Sequence, residues 1–378
     1  MSVSGSHDLV WVAIAAVAVA CAAAGCVDPD ADGGQVVETE LLRISTTADR
    51  PICAGTPIWL DSELGRIGEA LSLPLWGSDS KLDVHFGDDA VEALCSNIGL
   101  DQSLGGCVGT LEGETFVAVR NVSSVVSHEL VHAVRNRNEA WAEIPFEEGV
   151  AEILSGSDGL PFIARYPRGA AYTGPMDLLE IPREEFGGEF YIPSASFVSW
   201  MWEIFGQGEL MGFLDDPQIG EFDVATVFAE HFGMTLGEAE QAWRDYDGDD
   251  LSWGRACVPA RTHAMEGGVI EIEGDLDCAR ADILGASAFM KPLPMCIEIP
   301  RTMRVRISFE ADHGDVSMNA VESCDTSGAS SEAVRSKYLS AGEVLEEEII
   351  GCVHRVFLVS QEEGVPATSY VIRVEELG

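Results

Sequence analysis

The chain has 378 residues, 46% of them hydrophobic and 23% charged, a balance that excludes a disordered polypeptide and leaves room for two cores. Acidic side chains number 64 against 22 basic ones, and the formal net charge of −42 repels phosphate backbones, excluding nucleic acid as a partner. Such a surface attracts cations and basic peptides, and it also keeps a protein in solution.

Leu9 to Gly25 is a nearly unbroken apolar run. It is shorter than the roughly 20 residues a spanning helix needs and fits the core of a signal peptide. The run closes on Ala23-Ala24-Gly25-Cys26, which resembles a bacterial lipobox. The resemblance implies a signal peptide over residues 1–26, lipidation of Cys26 and attachment to a membrane through that N-terminal lipid anchor. The protein is then exported, as a cell-envelope or outer-membrane lipoprotein or else as a secreted protein; an uncleaved anchor is the alternative.

Apart from Cys21 and Cys26 the chain has eight cysteines, Cys53, Cys95, Cys107, Cys257, Cys278, Cys296, Cys324 and Cys352, with no CxxC pair. An even, scattered set in an exported chain reads as disulfides rather than as a cysteine zinc site. Pairing neighbours gives Cys95–Cys107, Cys278–Cys296 and Cys324–Cys352, and leaves Cys53–Cys257 to tie the ends of the first domain.

Residues 27–50 are polar and acidic and read as a linker. From 51 to 250 the pattern is mixed. Apolar spacing predicts a helix over 58–71, alternation predicts strands at 82–86 and 115–119, and helices follow over about 122–137, 145–155, 194–206, 222–231 and 235–245. The aromatic stretch from Phe197 to Phe205 reads as core. Over 251–378 the texture changes to short alternating runs, among them 268–272, 303–309, 356–359 and 370–374, a pattern that predicts an antiparallel β-sandwich. The fold class is therefore α+β, a small sheet with helices followed by an all-β sandwich-like domain.

Ser127-His128-Glu129-Leu130-Val131-His132 contains HExxH. On a helix each residue advances about 100° and 1.5 Å, so the two imidazoles stand about 40° apart, one turn along. They can share one ion, and Glu129 can reach a water beside it. Val122, Val126, Leu130, Ala133 and Val134 fall on the opposite face, where a core stripe belongs. Asn121 or Ser123 is placed to cap the helix start.

A zinc hydrolase needs a third protein ligand and an open fourth position. Arg135 and Asn138 occupy the glycine and histidine places of HExxHxxGxxH, so a third histidine is excluded. The other source is a glutamate from Pro145-Phe146-Glu147-Glu148-Gly149-Val150-Ala151-Glu152. There Glu148 and Glu152 lie about 40° apart, while Glu147 points about 100° from Glu148 and cannot aim at the same ion.

HELVH followed by Pro-aromatic-x-Glu-Gly-x-Ala-Glu resembles the gluzincin metallopeptidases, as does Tyr191-Ile192-Pro193-Ser194-Ala195-Ser196-Phe197, over about residues 51–250. The resemblance implies a zincin-like domain that cleaves peptide or protein substrates, with Zn2+ held by His128, His132 and Glu148 and with Glu129 as general base. It further implies that Glu152 supports a zinc-bound imidazole, with Asn136 a further candidate for that role. Tyr191 would stabilise the oxyanion, and residues 115–119 would be the edge strand along which a substrate pairs. His85, His231, His263, His313 and His354 have no partner spacing and read as non-ligands. The rival expectation is an inert zincin-like scaffold that works as a surface-anchored binding protein through its β-domain. The sequence leaves the oligomeric state open.

Overall fold

In a computed structural model, the structure describes residues 34–46, 51–77, 80–97, 105–122, 124–140, 142–155, 173–182, 185–219, 223–246, 262–265, 267–286, 289–292, 295–298, 301–313, 316–323, 336–349, 354–362 and 367–377. The signal peptide with Cys26, Ser123, Cys257 and the proposed Cys324–Cys352 pair lie outside them. The architecture is α+β: one mixed sheet covered by helices, then two further sheets.

The first sheet is built from β1 (Gln35–Glu38), β2 (Leu42–Thr46), β3 (Leu82–Phe86), β4 (Gly106–Leu111) and β5 (Glu114–Val119), in the order β1-β2-β3-β5-β4. The linker expected over 27–50 is thus corrected for residues 35–46. The acidic residues ahead of this stretch, Asp28, Asp30 and Asp32, give 27–50 its polar texture, but Leu42 and Ile44 alternate with polar residues and are fully buried. β2, β3 and β5 pair in parallel, and α1 (Gly55–Leu71) crosses over from β2 to β3.

β5 shows near-continuous burial because both its faces are covered. Val117 and Val119 join the main core, whereas Phe116 and Ala118 pack with Val91 and the Cys95–Cys107 disulfide beneath α2 (Asp88–Asn97). A two-residue turn, Glu112-Gly113, connects β4 to β5. Both turn residues have positive φ (54° and 92°), the backbone twist that suits a tight hairpin. β5 is therefore not the edge expected for it; among the described strands β4 is.

Helices fill the space above this sheet: α3 (Ser124–Arg137), α4 (Ile144–Ser155), α5 (Pro175–Leu179), α6 (Tyr191–Phe205), α7 (Gln207–Leu214), α8 (Val224–Phe232) and α9 (Leu236–Asp245). The apolar stripe of α3 is buried, with Val126, Leu130, Val131, Ala133 and Val134 at 0% exposure. Each of these valine and leucine side chains contributes about 1.5–3 kcal/mol when fully buried. The aromatic stretch from Phe197 to Phe205 is core, as expected: Phe197 meets Phe146, Phe228 and Trp243.

The strands after residue 261 form a sandwich. One sheet comprises β6 (Thr262–Ala264), β10 (Met295–Glu298), β12 (Val316–Ser323), β13 (Ser336–Ser340) and β15 (His354–Glu362), joined by β8 (Ile283–Leu284) and β9 (Phe289–Pro292). The other comprises β7 (Val269–Leu276), β11 (Met303–Ala311), β14 (Val344–Ile349) and β16 (Thr368–Leu377). The first runs β13-β12-β15-β10-β6 and the second β14-β11-β16-β7. Inward residues of both, such as Ile307, Ile372, Met318 and Val359, share one core.

The two halves meet at a stapled seam. Cys53 bonds Cys278, which corrects the expected Cys53–Cys257 and Cys278–Cys296 pairs. Beside the bridge, Thr56 Oγ1 donates to Gly285 O and accepts from Gly285 N, each at 2.9 Å. Leu284 and Ala286 belong to the first core, so the return of the chain at β8 reinforces the helical half.

Candidate metal centre

α3 packs on β4 and β5 through its valines and turns its polar face toward α4. There His128, Glu129 and His132 are buried, at 8–9% exposure. His128 Nε2 lies 3.1 Å from His132 Nε2 and 3.0 Å from Glu148 Oε2, and His132 Nε2 lies 3.5 Å from the same oxygen. The three residues offer donor atoms that could hold one metal ion. A tetrahedral ion with bonds of 2.0–2.1 Å separates its ligands by roughly 3.3 Å, which the three spacings bracket. Two imidazoles and a carboxylate are also the donor types zinc takes.

Around this triangle each sequence-derived residue has a definite place. Glu152 Oε1 lies 3.1 Å from His128 Nδ1, on the far side of the ring from the shared donor atoms. The ring of Tyr191 stacks on that of His128, with centroids 5.6 Å apart and planes within 17°. Tyr191 continues to Phe186, and Phe186 to Phe190, as a row of rings. Asn136 does not approach an imidazole. Its Nδ2 lies 3.4 Å from Thr110 Oγ1, tying α3 to the edge strand, because its place on the helix faces β4. Glu147 turns away from Glu148, as the helical angle requires, and holds Arg135. Among the other histidines, His85 bonds Ser45 and His231 bonds Asp216, away from the triangle.

Glycines set two close approaches. A Cβ at Gly149 would come 2.5 Å from Val198 Cγ2 and 2.7 Å from Ser194 O, so only glycine lets α4 sit this near α6. At Gly106 a Cβ would lie 2.6 Å from Val119 Cγ1 and 3.2 Å from Glu129 Cγ, so β4 runs directly beside the candidate base.

Burial disfavours the charged form of His128, yet hydrogen bonds to Glu148 and Glu152 outweigh it and hold the ring well above the ordinary imidazole value. Burial opposes ionisation of Glu148 too, but the adjoining His132 and His128 hold its carboxyl far below the usual range. Glu129 has no such hydrogen bond and is pushed up, chiefly by burial. Tyr191 is pushed up as well, by burial and then by Glu148, Glu129 and Glu152, and stays a neutral donor.

Sequence reasoning missed Arg135 as a partner of Glu147, and it missed β4. The signal for the first was a basic residue one turn beyond His132, at an angle that brings it back to the same helix face.

No protein-family model matches the chain, and no curated protein does. Among solved structures with a faint likeness to part of the chain are two of PliG, a periplasmic lysozyme inhibitor of g-type lysozyme. The Aeromonas hydrophila protein is 8% identical with a TM-score of 0.22, covering 31% of this chain and 96% of its own. The Salmonella Typhimurium protein is 8% identical with a TM-score of 0.19, covering 31% of this chain and 99% of its own. At such scores the likeness carries no argument about fold or activity.

Proposed function

We propose that the protein is an exported zinc-dependent metallopeptidase with a gluzincin-like catalytic domain, tethered by a lipid on Cys26. The observation that carries this reading is the convergence of His128, His132 and Glu148 at tetrahedral ligand spacing, with the buried carboxylate of Glu129 next to them. Two described disulfides fit an oxidising compartment. No helix among the described residues is long and apolar enough to cross a membrane.

When bound, zinc lowers the pKa of a water toward about 7 and polarises the scissile carbonyl. Glu129 takes the proton of the attacking water and then delivers it to the departing amine. Its raised affinity for a proton suits that task, since a carboxylate at its ordinary value is a poor base near neutrality. Tyr191, kept protonated, is the donor for the oxygen that gains negative charge. Glu152 fixes the orientation of the His128 ring through Nδ1. The outer edge of β4, which no described strand covers, runs beside Glu129 and is the edge along which an extended peptide would pair.

Metal analysis and cleavage of a peptide library test the reading. Wild type should hold one zinc and cut; Glu129→Gln should hold zinc and lose about 10²–10⁴ in turnover; His128→Ala should lose both. Full turnover in Glu129→Gln removes Glu129 from the scheme. A wild type that neither binds zinc nor cleaves returns the protein to the scaffold reading.

A further inference from the structure

On α3, His128, His132 and Arg135 lie within about 60° of one another, one continuous face. α4 runs the other way and meets these residues in turn with Glu152, Glu148 and, about 100° round the helix from Glu148, Glu147. The contacts form three rungs: His128 with Glu152, both histidines with Glu148, and Arg135 with Glu147. Two rungs hold the groups that would share an ion. The third carries its own cation.

That third rung is closed on every side. Arg135 is 0% exposed; its Nε donates to both oxygens of Glu147 at 2.8 and 3.0 Å and its Nη2 to Oε1 at 2.7 Å. Its Nη1 donates to Asp215 Oδ1 at 3.0 Å and its Nη2 also faces Leu214 O, which ties the rung to the end of α7. Glu147 Oε1 further accepts the Ala142 backbone N–H at 2.6 Å, just ahead of α4. A forked guanidinium bound this way has one orientation.

We propose that Arg135 is a positioning residue for Glu148: through Glu147 and Asp215 it sets the rotation of α4 against α3 and so aims the third ligand carboxylate in advance of the ion. The proposal deepens the metallopeptidase reading and rests on it. Glu147 and Glu148 are successive residues, separated by about 100° and 1.5 Å, so fixing one fixes the phase of the other. A buried ion pair also gives a fold little that well-packed apolar residues would not, which turns attention from stability to geometry.

The test compares zinc affinity, by competition with a chromophoric chelator, and the unfolding midpoint of the zinc-free protein in wild type, Arg135→Met/Glu147→Leu and Arg135→Lys. The double variant should unfold near the wild-type midpoint and bind zinc about tenfold to hundredfold more weakly. Arg135→Lys, which keeps the charge and loses the fork, should lose affinity by a smaller factor. Wild-type affinity in a folded double variant overturns the proposal. So does a double variant that fails to fold while Arg135→Lys binds zinc normally, because the rung would then support the fold alone. A wild type that binds no zinc defeats the metal reading itself, and that arm reports it independently of any variant.

Discussion

Four carboxylates crowd one small volume, and their surroundings assign them different work. Glu148 is paired with two rings and stays ionised; Glu129, buried without such a bond, is pushed toward protonation; Glu152 sits behind His128; Glu147 is bound to Arg135. Environments that push like groups apart are how one site separates ligand, base and support. Glu152→Ala should therefore weaken zinc binding about tenfold to hundredfold while leaving Glu129 in place, as read by chelator competition. Tyr191→Phe preserves the stack on His128 and deletes the hydroxyl. If that hydroxyl serves the oxyanion, kcat falls about 10²–10³ with metal content and KM nearly constant. A KM effect alone would make Tyr191 part of a substrate wall.

At the level of elements, the parallel strands hold a second titratable contact. His85 on β3 lies opposite Ser45 on β2, its Nδ1 2.7 Å from the hydroxyl, and its edge meets Phe116. Burial holds this imidazole below its ordinary value. The unfolded chain then binds the extra proton first as pH falls. The contribution is complete above the unfolded value of about 6.5 and is lost progressively below it, toward the lower folded value. His85→Gln, which does not titrate, should show a smaller drop in thermal midpoint between about pH 7.5 and about pH 5.5 than wild type. An equal drop would place the sensitivity elsewhere.

The same elements show what the sequence made legible. α3 was readable because HExxH and its valine stripe obey one period, and β3 because Leu82, Val84 and Phe86 alternate cleanly. β4 is not, since Gly106 and Gly109 dilute its alternation; at Gly106 the strand passes tightly against Val119 and Glu129. Without β4, β5 reads as the edge. Residues 35–46 read as a linker because acidic residues ahead of them, Asp28, Asp30 and Asp32, outweigh the alternating buried positions Leu42, Ile44 and Thr46 that define a strand. Helical angles separated Glu147 from Glu148 in advance, but an angle does not reveal that Arg135 and Asp215, 80 residues apart, meet at the side turned away.

Over the whole molecule, the seam between the helical half and the sandwich decides whether they behave as one unit. Pairing by sequence neighbourhood found Cys95–Cys107, 12 residues apart, and failed for Cys53–Cys278, 225 apart, because only the folded seam brings the latter together. Closing so long a loop restricts the unfolded chain strongly, and removing such a bridge typically costs about 2–5 kcal/mol. Thr56 and Gly285 exchange two hydrogen bonds beside it, and a Cβ at Gly55 would lie 2.6 Å from Ile283 O, so the backbones are in close contact. Cys53→Ser/Cys278→Ser should thus lower the calorimetric midpoint and split one transition into two, the sandwich parting from the helical half. The metal triangle lies within α3 and α4, so zinc affinity of the folded double variant should match wild type. A single transition at an unchanged midpoint would show that the buried seam, with Leu284 and Ala286 in the first core, couples the halves without the bridge.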